Sequence, residues 1–148
     1  MTTQRKCKES SEYLDRALLS SISSGDRRAI EKLYASYFSR LAKFFLELNV
    51  RADFVEDLII DTMVDLWKEG PSIGADVAVS VAIMRLAYSN GRRHFAQATE
   101  TRARALLYLV YGCGHSRRDI AEIMNVSPEC VDLSLGDAHP RHLPFSQR

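Results

Sequence analysis

Cysteine, proline and glycine are all sparse in this 148-residue sequence, and neither charge sign dominates. The three cysteines, Cys7, Cys113 and Cys130, make no C-x-x-C pair. That argues against a disulfide framework and for reduced thiols in a cytosol. No stretch approaches the roughly 18 consecutive apolar residues of a membrane span. The opening MTTQRKCKESSEY has no apolar core, so no secretory signal is expected and the chain is read as cytoplasmic. Lys plus Arg is 20 against 19 for Asp plus Glu, a net charge of +1. This balance excludes a uniformly basic nucleic-acid binder but leaves room for local basic patches. There is no Gly-rich phosphate loop, no G-x-S-x-G and no H-E-x-x-H, so an enzyme is not expected. Cys113, His115, Cys130, His139 and His142 fit no standard zinc spacing. Neither a metal nor a cofactor is expected.

What the chain does carry is helical period. Residues 11–24 space Leu14, Leu18 and Ile22 four apart, and Gly25 suits the end of that helix. Asp26 can cap a second helix. Its apolar face holds Ile30, Leu33, Tyr34, Tyr37, Phe38, Leu41, Phe44, Phe45 and Leu48, and Asn49 ends it. A third helix spans Asp53 to Lys68 and stops at Gly70-Pro71. Residues 70–76 read as a loop, and a fourth helix covers about 77–97. Gly91 weakens that helix by roughly 1 kcal/mol relative to Ala.

The last third has a different grain. Residues 101–111 form an apolar helix broken by Gly112 and Gly114. Ser116 with Asp119 opens a short helix, Asn125 can take a left-handed turn, and Ser127-Pro128 starts another that ends at Pro140. Two short helices with a tight turn, and Ala121 at their crossing, make a helix-turn-helix. The expected fold is all-α with two small helical lobes: an N-terminal bundle over residues 11–98 and a helix-turn-helix lobe over residues 101–140. Residues 1–10 and 140–148 read as mobile ends.

Three features carry chemistry. Asp53, Asp57, Asp61 and Asp65 lie four apart on the third helix. Like charges at that spacing repel, so the stripe is either a solvated face or a docking face for a basic partner. Trp67, at the end of the same helix, is either a core residue or an interface anchor. The fourth helix ends in Arg92-Arg93-His94, with Tyr88, Asn90, Phe95 and Gln97 nearby. This is either a solvated helix end or a surface for phosphates and stacked bases. The second helix of the helix-turn-helix should enter a major groove, yet it opens with Glu129 and Asp132 and no cation before Arg141. Arg117 and Arg118 on its partner helix can still touch phosphates.

In this order the pieces resemble the bacterial RNA polymerase sigma factors of the extracytoplasmic-function class. Gly25-Asp26, Ala29, Leu33-Tyr34, Tyr37 and Leu41 look like the opening of that family's second conserved region. The stretch Glu56-Asp57-Leu58-Ile59-Ile60-Asp61-Thr62-Met63-Val64-Asp65-Leu66-Trp67 is similar to its polymerase-binding helix. Gly114 through Met124, with Val131, resembles its fourth region. The resemblance implies docking of Asp57, Leu58, Asp61, Thr62, Asp65, Leu66 and Trp67 on a coiled coil of the largest subunit of core RNA polymerase. It implies promoter DNA contacts from Tyr88, Asn90, Arg92, Arg93, His94, Gln97, Arg117, Arg118, Ser127 and Glu129. It places the 70–76 loop where a flipped base is captured, and implies an anti-sigma factor as a further partner. An alternative is a sigma-like protein that sequesters an anti-sigma factor or occupies polymerase without initiating. Two departures favour that alternative. Cys130-Val131-Asp132-Leu133-Ser134 replaces the family's Thr-Val-x-Ser-Arg, and few residues separate the lobes.

Overall fold

The structure, a computed structural model, describes the backbone of residues 2–94 and 99–142 and the side chains of residues 11–94 and 101–136. Among these, every regular element is helical: α1 (Thr2–Ser23), α2 (Arg27–Glu47), α3 (Ala52–Glu69), α4 (Val79–Gly91), α5 (Thr99–Leu107), α6 (Arg117–Met124) and α7 (Pro128–His142). No described helix is long and apolar enough to cross a membrane.

The breaks between helices follow local chemistry. Gly25 takes φ +88 after α1, where an L side chain would be strained. The Asp26 carboxylate then accepts from the Arg28 N–H at 2.9 Å and caps α2. Asn49, at φ 61, turns the chain out of α2. The tip of α4 crosses α2 closely. A Cβ on Gly91 would stand 2.8 Å from Leu48 Cδ1 and 3.3 Å from Phe45 Cε1, so the glycine's loss of helix propensity is offset by that approach.

The core is continuous through both halves of the chain. α2 contributes Leu33, Tyr37, Leu41, Phe44 and Phe45, all buried. Each such side chain stabilises the fold by about 1.5–3 kcal/mol. Phe38, expected on that face, is instead 38% exposed, its ring tilted against that of Tyr34 with centroids 5.6 Å apart. α1 differs by one register position from the expected stripe. Leu14 is 60% exposed, and the inward positions are Asp15, Leu19 and Ile22. A charged residue occupies an inward site because Tyr37 Oη donates to Asp15 Oδ2 at 2.6 Å. The Arg40 guanidinium lies 4.6 Å from the centre of the Tyr37 ring. Burial pushes the Asp15 carboxyl above its usual range, against the opposing effects of the Tyr37 hydrogen bond and the Arg40 charge. Burial, reinforced by Asp15, likewise raises the Tyr37 phenol.

The two expected helical units pack on one another. α6 lies against α4, with Arg85 and Glu122 paired at 3.2 Å. α5 lies against α2. There Arg104 reaches Glu47 at 3.2 Å and Asn49 Oδ1 at 2.8 Å, and Tyr108 Oη donates to the Arg40 carbonyl at 3.2 Å. Two other helix boundaries differ from expectation. α1 begins at Thr2 rather than near residue 11, because nothing in that polar stretch breaks a helix. α7 runs through Pro140 to His142, since a proline forfeits one backbone bond without necessarily ending a helix.

Candidate functional surfaces

α3 divides cleanly into two faces. Val55, Leu58, Ile59, Thr62, Met63 and Leu66 point into the core. Three residues expected to touch polymerase are therefore interior: Leu58 at 4% exposure, and Thr62 and Leu66 at 0%. The reason is periodic. Residues 58, 62 and 66 are four apart and share the inward stripe with Val55 and Ile59. Thr62 Oγ1 donates to the Leu58 carbonyl at 2.7 Å, which satisfies its hydroxyl inside the helix.

The outer face carries Glu56, Asp57, Ile60, Asp61 and Val64. Ile60 and Val64 are 43% and 44% exposed, a short apolar strip beside the acids. The strip is not among the residues the family resemblance implies as contacts. Its signal was there, because 60 and 64 are four apart and off the inward stripe. Among the described residues neither Asp57 nor Asp61 has an ion-pair partner. Asp53 does, pairing with Arg51 at 2.8 Å. Asp65 is half-buried and faces α4, accepting from Asn90 Nδ2 at 3.0 Å. Trp67 is half-buried and packs on the core.

Asn90 was expected to face DNA. It instead joins α4 to α3, reaching Asp65 and, at 3.4 Å, Thr62 Oγ1. Tyr88, also expected at that surface, is 5% exposed and belongs to the core. Arg92, Arg93 and His94 are exposed on a single tight turn after α4. The Arg92 guanidinium stands 5.8 Å from the Tyr88 ring centre, and the His94 ring lies 5.6 Å from Phe54 of α3. Arg51 lies 5.7 Å from the same Phe54 ring. Arg51, Arg92 and Arg93 are thus exposed basic groups here, with the His94 ring and exposed Phe54 beside them. Gln97 lies outside the described residues.

The loop between α3 and α4 begins as a tight turn over Gly70–Ser72. α1 holds the rest of it. Arg16 donates to the carbonyl of Gly74 at 3.3 Å and to that of Val77. Glu12 Oε1 accepts from the Val79 N–H at 2.9 Å, capping α4 where Ala78 offers no side-chain acceptor. Ile73 and Val77 pack on the core, while Pro71, Ser72, Gly74, Ala75 and Asp76 remain exposed. Neither Glu12 nor Arg16 was singled out in the sequence, since a link spanning 58 to 67 residues leaves no local pattern.

In the C-terminal part, Ser116 Oγ accepts from the Asp119 N–H at 3.1 Å and caps α6. Asn125 takes φ 55 and ψ 52, the left-handed turn position. Ser127 Oγ accepts from the Cys130 N–H at 3.2 Å and caps α7. Ile120, Ala121, Ile123, Met124 and Val131 are buried where α6 and α7 meet each other and α4. This is a helix-turn-helix arrangement, with Ser127 engaged as a cap. Arg117, Arg118 and Glu129 are exposed. Arg117 Nη1, however, sits 2.8 Å from Asp132 Oδ2 on α7. Among the described residues no three metal-ligating side chains converge.

No protein-family model and no curated protein matches the chain. Among solved structures it is similar to CnrH in complex with the cytosolic domain of CnrY, with a TM-score of 0.73 and 23% sequence identity. The match covers 86% of this chain and 93% of that one, so the likeness extends over both helical units. At that identity it establishes a shared fold.

Proposed function

We propose that this chain is a sigma factor of the extracytoplasmic-function class, which binds core RNA polymerase and directs promoter recognition. The observation that carries the reading is the outer face of α3, where Asp57 and Asp61, without an ion-pair partner among the described residues, stand beside exposed Ile60 and Val64. An apolar strip edged by carboxylates suits a basic, amphipathic helical partner such as the coiled coil of the largest polymerase subunit. Trp67 adds a half-buried aromatic at the end of the same helix. Arg92 and Arg93, with Arg51 and the His94 ring beside them, supply the cations for the downstream promoter element. The exposed tip of the tethered 70–78 loop offers a site for an unstacked base. Arg118, with no ion-pair partner among the described residues, approaches the upstream element, while Arg117 is held by Asp132. The fold shared with CnrH, which was solved with the cytosolic domain of CnrY, supports an anti-sigma protein as a further partner.

Binding of the purified chain to bacterial core RNA polymerase, followed by transcription from a library of promoter fragments, tests this reading. Binding with transcripts is expected. A second reading is a mimic that holds polymerase or an anti-sigma factor without initiating. The acid on the recognition helix, paired with the cation beside it, favours that reading. Polymerase binding with no transcript from any fragment would select it, and absence of binding would remove both polymerase roles.

A further inference from the structure

We infer that Asp132 is a positioning residue that withholds Arg117 from nucleic-acid phosphate, so that the helix-turn-helix is a weak duplex binder by construction. The inference rests on reading α6 and α7 as a DNA-facing unit. In a helix-turn-helix the first helix crosses the sugar–phosphate backbone while the second enters the groove. Arg117 and Arg118 lie at the start of the first helix, where phosphates would pass. Among the described residues Arg118 has no carboxylate within ion-pair distance, whereas Arg117 donates to Asp132 at 2.8 Å. The two side chains are 60% and 49% exposed, so the pair sits at the surface a duplex would meet.

The described outer face of α7 offers Glu129, Asp132, Leu133 and Gly136: two acids and no base. Asp132 therefore opposes DNA twice. It repels phosphate directly, and it occupies a guanidinium that would otherwise neutralise one. Each phosphate neutralised by a cation makes log affinity fall more steeply with log salt, by a slope of about 0.9. An exposed ion pair is weak enough for phosphate to compete with, so the masking is graded rather than absolute.

The test uses the full chain and a fluorescently labelled duplex of random sequence, titrated at several salt concentrations. D132A is expected to bind roughly three- to ten-fold more tightly than the parent at low salt, with a salt slope steeper by about one. D132E, which keeps the acid, should behave as the parent. R117A should change the parent by less than about twofold, yet remove most of the gain when combined with D132A. E129Q removes a charge that holds no arginine among the described residues, so it should gain less, and its gain should survive R117A. Equal affinity and slope for D132A and the parent would overturn the inference. So would a D132A gain that persists without Arg117, because general charge repulsion would then explain it. Polymerase binding is assayed separately on the parent chain. Its failure would sink the proposed function while leaving the duplex result standing.

Discussion

On α3, Asp57 and Asp61 are exposed and have no ion-pair partner among the described residues. On α7, Asp132 is held at 2.8 Å by Arg117. Exposed acids with no ion-pair partner among the described residues also include Glu31, Glu56, Glu69, Asp76 and Glu129, whereas other carboxylates are engaged like Asp132. Asp15 is held by Tyr37, Asp65 by Asn90, and Glu12 by the Val79 amide. Like charges one turn apart destabilise a helix unless something offsets them. The engaged acids are offset within the molecule, and each ties two elements together. Among the described residues Asp57 and Asp61 tie no two elements together. Their arrangement fits a complementary surface outside the chain, and the apolar strip beside them, Ile60 and Val64, points the same way.

This contrast separates two kinds of outcome. Changing Asp57 or Asp61 should alter polymerase binding and leave stability alone, and changing Asp15, Asp65, Glu12 or a partner of theirs should do the reverse. The largest expected effect is on binding. Asp57→Lys with Asp61→Lys should weaken capture of core RNA polymerase by roughly a hundredfold or more in a titration. Urea unfolding of the same variant should stay within about 0.5 kcal/mol of the parent. Asp65 is a poorer choice for reversal, because Lys there would also break the bond to Asn90.

Next in size is Tyr37→Phe. It leaves the buried Asp15 without its donor and should cost about 1–3 kcal/mol in urea unfolding. The same site carries a pH signature. Because burial raises the Asp15 carboxyl, the native state holds that proton better than the unfolded chain does. Its contribution is complete below the ordinary carboxylate range and declines as pH rises through the elevated native value. Asp15→Asn keeps an acceptor for Tyr37 and should flatten that decline when unfolding is followed across pH. A pH profile identical to the parent's would refute the assignment.

A smaller effect is expected at Asn90→Ala, about 1 kcal/mol, since one hydrogen bond to Asp65 is lost and Asp65 can turn to water. Smallest is Glu12→Ala. Loss of this cap should cost roughly 0.5–1 kcal/mol and speed hydrogen exchange at the Val79 amide, with α2 unaffected.

Much of the fold was legible because it is locally encoded. Asp26, Ser116 and Ser127 cap the helices they precede, Asn125 turns where a left-handed residue is needed, and the α2 stripe obeys helical period. The register of α1 was not legible. Leu14 outranks Asp15 on any hydropathy argument, and only the distant Tyr37 makes Asp15 the inward residue. The same holds for Glu12 and Arg16, whose partners lie on a loop far along the chain. On α3 the interior roles of Leu58, Thr62 and Leu66 were readable from their spacing. The family resemblance treated the whole stretch as a contact surface, and periodicity divides it. Tyr88 and Asn90 sit close to exposed Arg92 and Arg93 in sequence but turn inward, a distinction that the position of α3 decides.

The most direct measurement is carboxyl footprinting of the chain, free and mixed with core RNA polymerase. A carbodiimide-coupled amine would label accessible acids, to be read out by mass spectrometry. The account predicts that Asp57 and Asp61 label readily in the free chain and become protected in the complex, while Asp15 stays unlabelled in both. A complex in which Asp57 and Asp61 label as fast as in the free chain would contradict it.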